Sequence, residues 1–205
     1  MTDSTTDPMT DWGALYRDHV AAVTALAGDL SGDELAAVVP ATPAWTVHDV
    51  LAHLAGGPSD AVTGRMDGAP GPEWTARHVG ERRDLPVADL VEEMRSHQDA
   101  IAEQAAASPR PAIVWDISVH HADLHEALGR GRLPDRLWEP VLANVAPMRF
   151  GAAGVPADVD PYELFRAVFS RRSRTQMQAW GLPLSPAQLD EVCIFGPRED
   201  DQPVP

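Results

Sequence analysis

Apolar residues recur along most of this chain at spacings of three, four and seven, the signature of helices with one buried face. Leu15, Tyr16, Val23, Leu26 and Leu30 form one such stripe and predict a helix from about Asp11 to Leu30. Ser31-Gly32-Asp33-Glu34 predicts a short capped turn of helix, interrupted by Pro40 and Pro43. Thr46-Val47-His48-Asp49 reads as a capping box, and Val47, Val50, Leu51 and Leu54 give the helix behind it an apolar face. Gly56-Gly57-Pro58 is expected to break or kink that helix just after His53, with a resumption over Ser59 to Met66. Glu73 to Arg83 is helical, and Pro86 opens the next helix, with Val87, Leu90, Val91, Met94, Ile101 and Ala105 on its stripe. A helix from about Ala112 to Leu128 stops at Gly129, a favoured residue just past a helix end. Further helices follow Pro134 and the Asp160-Pro161-Tyr162-Glu163 cap, the latter continuing through Ser170-Arg171-Arg172-Ser173-Arg174, and a last short one follows Ser185-Pro186. No stretch alternates strictly enough for a strand. The class is all-α, with a main bundle over 11–130 and a helical extension over 131–197 packed on it. Disordered tails are expected at 1–10 and 198–205.

Composition narrows the function. The formal net charge of −15 repels phosphate backbones, which argues against nucleic acid and anionic membrane as partners. No apolar run is long enough to span a bilayer, and the first residues lack the basic-then-apolar pattern of a signal peptide, so a cytoplasmic location is expected. All 16 basic residues are arginine, which fits a high-GC genome. The lone Cys193 excludes an internal disulfide and reads as a small buried apolar residue.

The histidines are distributed unevenly. Five of the eight lie in two stretches, Trp45–Leu54 and Trp115–His125. Asp116, His120 and Asp123 share one helical stripe flanked by Ile113, Ile117, Leu124 and Leu128, so the stripe faces the core. A carboxylate there is costly unless it is paired or metal-bound. His53, beside another apolar face, is the best partner for the Asp116–His120 pair. Two imidazoles and a carboxylate leave coordination positions open, the pattern of catalytic metal sites. Zinc is the default; nickel, iron or manganese also suit these donors. Asp–His pairs four apart also occur as plain local contacts, and His121 with His125 is an alternative pair on a neighbouring face. His48 is expected to look outward, and His19, His78 and His97 read as solvated helix residues.

Pro43-Ala44-Trp45-Thr46-Val47-His48-Asp49-Val50-Leu51-Ala52-His53-Leu54-Ala55-Gly56 closely resembles the first metal-ligand motif of the mycothiol-dependent maleylpyruvate isomerase family. Asp116-Ile117-Ser118-Val119-His120, with Asp123 and Ala127-Leu128-Gly129, resembles the second. Phe165-Arg166 with Ser170 to Gln176 is similar to a segment of actinobacterial members, and actinobacteria make mycothiol. The resemblance covers about residues 11 to 130. It implies a DinB-like four-helix bundle, metal ligands His53, Asp116 and His120, and mycothiol as cosubstrate. The family's usual acidic ligand is Glu; Asp116 is one methylene shorter.

The leading expectation is therefore a metal-dependent, mycothiol-using transferase or isomerase acting on a small electrophile, as a monomer or homodimer. Asp123 would orient His120 or accept a proton. Arg171, Arg172 or Arg174 would clamp a substrate carboxylate, or else form a solvated basic face. Two other expectations stand beside it: a hydrolase using metal-activated water on the same site, and a non-enzymatic binding or dimerisation module.

Overall fold

The computed structural model describes residues 10–205. The tail expected over residues 1–10 lies almost wholly outside the described residues. Each helix starts at a capping side chain or at a proline. Asp11 caps α1 (Trp12–Gly28) by accepting from the Ala14 amide. Ser31 with Glu34 closes a capping box on α2 (Gly32–Leu35), and Thr46 with Asp49 does the same for α3 (Val47–Thr63). Pro72 opens α4 (Pro72–Arg82), Pro86 precedes α5 (Val87–Ala106), and Pro111 precedes α6 (Ala112–Ala127).

α1 and α3 each lie against both α5 and α6, so these four helices form the bundle, and α4 packs chiefly on α3. The architecture is the all-α, DinB-like helical bundle that the resemblance implies. Among the described residues the only extended pairing is an isolated bridge between Val38 and Thr46. It fixes the loop that carries Trp45 into α3.

Beyond the bundle, α7 (Asp135–Phe150) packs on α6 and α1, and α8 (Pro161–Val168) packs on α7. α9 (Arg174–Gln178) and α10 (Pro186–Val192) complete the extension. One continuous core runs from Trp12 through Phe169 and includes residues of both parts, among them Trp138, Tyr162 and Phe165. Cys193 is buried in a satellite cluster with Ala167, Met177 and Leu189.

Three local expectations are corrected. α3 runs unbroken through Gly56-Gly57-Pro58. The glycine serves close packing instead: a Cβ at Gly56 would fall 2.7 Å from the His78 side chain of α4. Residues 170–173 are not helical. α8 ends at Val168, and Ser170 adopts a left-handed φ of 61° that turns the chain. The segment 198–205, expected to be disordered, is held by side chains. Gln202 is buried, donates to Gln176 Oε1 and to the Asp200 carboxylate, and accepts from the Gln176 amide at its carbonyl, while Arg198 donates to the carbonyls of Ser170 and Ala41.

Candidate metal centre

Helices α3 and α6 cross at the bundle interior and bring three ligand-type side chains to one point. His53 Nε2 lies 3.1 Å from Asp116 Oδ2, and His120 Nε2 lies 3.7 Å from Asp116 Oδ1. His53, Asp116 and His120 each offer an atom within 4.8 Å of the other two. Bonds of about 2.1 Å in tetrahedral arrangement put donors about 3.4 Å apart, close to the 3.4 Å and 3.7 Å that separate Asp116 Oδ1 from His53 Nε2 and His120 Nε2. Both histidines are buried, while the Asp116 side chain stays 39% exposed, which leaves one side of the centre open. The indole of Trp45 lies over both rings, with centroids 5.2 Å from His53 and 5.9 Å from His120.

The helical spacing explains the pairing. Asp116 and His120 are one turn apart on α6, and Asp123 sits on the next turn of the same stripe. Asp123 Oδ2 approaches His120 Nδ1 to 3.0 Å, so the opposite nitrogen faces Asp116. Burial alone would raise the Asp116 carboxyl. The His53 ring, its hydrogen bond, His120 and Arg171 outweigh that and hold it at about 2. Burial pulls His120 down, against the pull of Asp123 and Asp116, favouring the neutral imidazole that binds metal.

Asp123 is itself buried and ion-paired. Arg171 grips it bidentately through Nε at 3.2 Å and Nη2 at 2.7 Å, and Arg166 Nη2 adds a bond of 2.6 Å. These two guanidiniums overcome the cost of burial and hold Asp123 well below the usual carboxylate range. Such a carboxylate is a poor proton acceptor at neutral pH and a firm orienting anion. Arg166 is fully buried and also forks onto Glu126 at 2.8 and 2.7 Å. Arg172 forks onto Glu163 and approaches Glu126 to 3.5 Å. Three arginines thus neutralise three carboxylates, which is what makes the burial of all six tolerable.

Of the residues singled out from the sequence, His53, Asp116, His120, Asp123 and Arg171 come together. Arg172 lies behind them, tied to Glu163. Arg174 is elsewhere, paired with Asp190 of α10 and with Glu199. The donors of Arg171 and Arg172 are committed to protein carboxylates and to the carbonyls of Phe169 and Arg171. The four-residue run is therefore not a solvated basic face, and its buried members are structural ions.

His121 and His125 form an edge-to-face pair with centroids 5.0 Å apart, but among the described residues no third donor joins them. His121 bonds His19 instead, Nδ1 to Nδ1 at 3.1 Å, and His19 Nε2 donates to the Leu137 carbonyl at 3.0 Å. His19 and His78 are fully buried rather than solvated. His97 stays at the surface of α5, and His48 reaches the Leu85 carbonyl at 2.9 Å.

Sequence reasoning missed His78, Asp60, Arg166 and Glu126. His78 of α4 contacts His53, Nδ1 to Nδ1 at 3.2 Å, and Asp60 Oδ2 at 3.1 Å. Asp60 is fully buried. Burial pushes its carboxyl up, and bonds from Arg77 and His78 more than reverse that. A signal for this group existed in Gly56, whose missing side chain marks where α4 approaches. Arg166 stood out only as part of a resembling segment, and nothing in the sequence tied it to Glu126, because only the folded contact of α6 with α8 joins them.

No helix among the described residues is long and apolar enough to cross a membrane. No curated protein and no solved structure shows significant similarity to the chain. A family profile does match: residues 16–139 fit the one described as the mycothiol maleylpyruvate isomerase N-terminal domain. The match includes His53, Asp116 and His120 and spans more than half of the sequence; the chain belongs to this mycothiol-related, DinB-like family.

Proposed function

We propose that this protein is a metal-dependent enzyme that uses a low-molecular-weight thiol, mycothiol, to transform a small electrophilic molecule as a transferase or isomerase. The observation that carries the reading is the convergence of His53, Asp116 and His120, with their donor atoms facing one another at separations suited to one cation. Zinc is the first choice for two imidazoles and a carboxylate, and nickel, iron or manganese are accommodated by the same donors. When bound, such a cation would lower the pKa of a coordinated thiol so that it reacts as a thiolate at neutral pH.

The chain's own residues prepare that chemistry. His53 and His120 present Nε2, each held from behind by an acid or a second imidazole. Asp116 brings one negative charge and the exposed edge through which a thiol and an electrophile can enter. Trp45 covers the imidazole faces and keeps bulk water from that side. Asp123, clamped by Arg166 and Arg171, fixes the His120 ring and does not exchange protons. Arg171, Arg172 and Arg174 are read as positioning residues, since their donors are spent within the protein.

The only cysteine is Cys193, buried in the satellite cluster, so a nucleophilic thiol must come from outside. Elemental analysis of untagged protein should find about one divalent metal per chain. Turnover of a panel of electrophilic substrates should then require added thiol. Full turnover in thiol-free buffer with metal present would replace this reading with hydrolysis by metal-activated water. Absence of metal in wild type would leave a binding module.

A further inference from the structure

We propose that His78 and Asp60 form a buried relay that fixes the tautomer of His53 and thereby sets metal affinity; this rests on the metal reading above. His53 and Asp60 lie seven residues apart on α3, on one face of the helix. His78 of α4 sits between them, with Nδ1 3.2 Å from His53 Nδ1 and Nε2 3.1 Å from Asp60 Oδ2. Its ring is fully buried, and so is Asp60. Gly56 makes room for it, since a Cβ there would collide with His78 at 2.7 Å and with the Arg82 guanidinium at 2.9 Å.

The polarity of the relay follows from what each end can do. Arg77 donates to Asp60 Oδ2 at 2.5 Å, and Arg65 lies 3.6 Å from Oδ1, so Asp60 is a carboxylate and only accepts. The nitrogen facing it, His78 Nε2, must therefore carry hydrogen. A neutral imidazole has one N–H, so His78 Nδ1 is bare and accepts from His53. Without metal, His53 Nε2 also meets the Asp116 carboxylate at 3.1 Å and bonds it through hydrogen; a metal would displace that proton, leaving His53 with its proton on Nδ1 and the Nε2 lone pair on the centre shared with Asp116 and His120. The other nitrogen of a ligating imidazole commonly meets a carboxylate directly. Here a second imidazole is interposed, and the fixed charge sits one ring further back. His78 and Asp60 are positioning residues and touch no substrate.

Two measurements separate this proposal from the metal reading. Long-range 1H–15N correlation of the imidazoles reads each tautomer with or without metal. It should show His78 as the Nε2–H form in zinc-free protein, and His53 as Nδ1–H in zinc-loaded protein. A His78 Nδ1–H form would overturn the relay whether or not zinc binds. Competition with a chelator gives zinc affinity. His78→Leu should weaken it 10–100-fold, the range typical of outer partners. His78→Asn, whose amide oxygen can replace Nδ1 as acceptor, should recover most of the loss. Asp60→Asn, closer in shape to wild type, should weaken zinc several-fold if His78→Leu does not fold. Affinities within threefold of wild type in the folded variants would sink the relay. A wild type that binds no zinc would sink the metal reading alone, leaving the tautomers to decide the relay.

Discussion

Two buried histidine groups meet α6 at neighbouring residues, His120 and His121, and they share a motif. In one, His53 meets His78 through Nδ1 atoms 3.2 Å apart; in the other, His19 meets His121 through Nδ1 atoms 3.1 Å apart. What differs is how each chain ends. The first ends on carboxylates, at Asp60 behind and Asp116 in front. The second ends on the Leu137 carbonyl, which also accepts from Ser118 at 3.2 Å. A carboxylate supplies the negative charge that a cation needs, and a carbonyl supplies one lone pair to a neutral ring. The first group therefore has the charge that the proposed metal would need. The second pins α1, α6 and α7 together, spending imidazoles where other proteins spend amides or hydroxyls. Residue type alone does not mark a histidine as a candidate ligand; the charge at the far end of its hydrogen bonds is what separates the two groups.

The sharpest way to break this contrast is to delete one ring from each group. His53→Ala and His120→Ala should lower zinc affinity by about a thousandfold or more, or roughly 4 kcal/mol, well beyond the loss expected for an outer partner. His121→Ala should leave zinc affinity within threefold and lower the thermal midpoint, as removal of a buried hydrogen-bonded ring does. Chelator competition and calorimetry on the same three proteins decide it. Zinc loss in His121→Ala alone would exchange the two assignments.

A second test uses pH. Burial pulls His19 down to about 4, only partly offset by its bond to Leu137, and burial also holds His121 well below its ordinary range. Unfolding returns His19 to about 6.5, so between pH 6.5 and 4 the unfolded chain binds more protons than the folded one. The contribution of His19 to stability is thus complete above pH 6.5 and is lost as pH falls to about 4, a change of about 3 kcal/mol. Urea midpoints of zinc-free protein should fall across that window. His19→Gln should show a shallower fall, because the glutamine amide can still donate to the Leu137 carbonyl and does not titrate. An unchanged slope would mean that His19 is not buried neutral.

The two groups were unequally visible before the structure. Asp116, His120 and Asp123 could be placed on one stripe from spacing alone, and apolar neighbours on either side oriented it inward. His53 was legible through its capping box and the apolar face beside it. The bundle was legible for the same reason: helices report their buried face in their period. His19 and His78 were not, because a single histidine on a helix reports nothing of the partner that buries it. That partner is 102 residues away for His19 and 25 for His78. Gly56-Gly57-Pro58 was misread because glycine within a helix signals either a break or a close approach, and only the position of α4 distinguishes them. Ser170 to Ser173 failed similarly. Arginines look solvated in sequence until Asp123, Glu126 and Glu163 are brought to them by α6 and α8.

Smaller effects probe the front of the metal centre. Asp116→Asn should weaken zinc about tenfold or more, since it removes the only anionic donor among the three. Asp116→Glu, the acid usual in the resemblance, should keep zinc within a few-fold or tighten it, because the site is open on that side. Titration of apo protein against a chelator measures both. An Asn variant equal to wild type would take Asp116 out of the centre and reduce it to a neighbour of His53.

The smallest expected effect is at Tyr16. Tyr16 and His19 stand three residues apart on α1, so the helix offers one side chain to each half of the contrast. The Tyr16 hydroxyl is buried and finds no hydrogen-bond partner among the described residues. Burial, and then the negative charge of Asp116, raise its pKa, so it stays protonated and able to donate. It is thus aligned with the carboxylate-terminated group by field but not bonded to it. Removing an unpartnered buried hydroxyl costs no hydrogen bond and relieves a desolvated group, so Tyr16→Phe should change stability by less than about 1 kcal/mol. Zinc affinity should stay within threefold of wild type. Activity is the informative readout. If turnover falls while zinc affinity and the thermal midpoint hold, the hydroxyl donates to the bound thiol or substrate and the front of the centre extends to α1. If all three are unchanged, Tyr16 is packing, and the open side of Asp116 is where the chemistry must be sought.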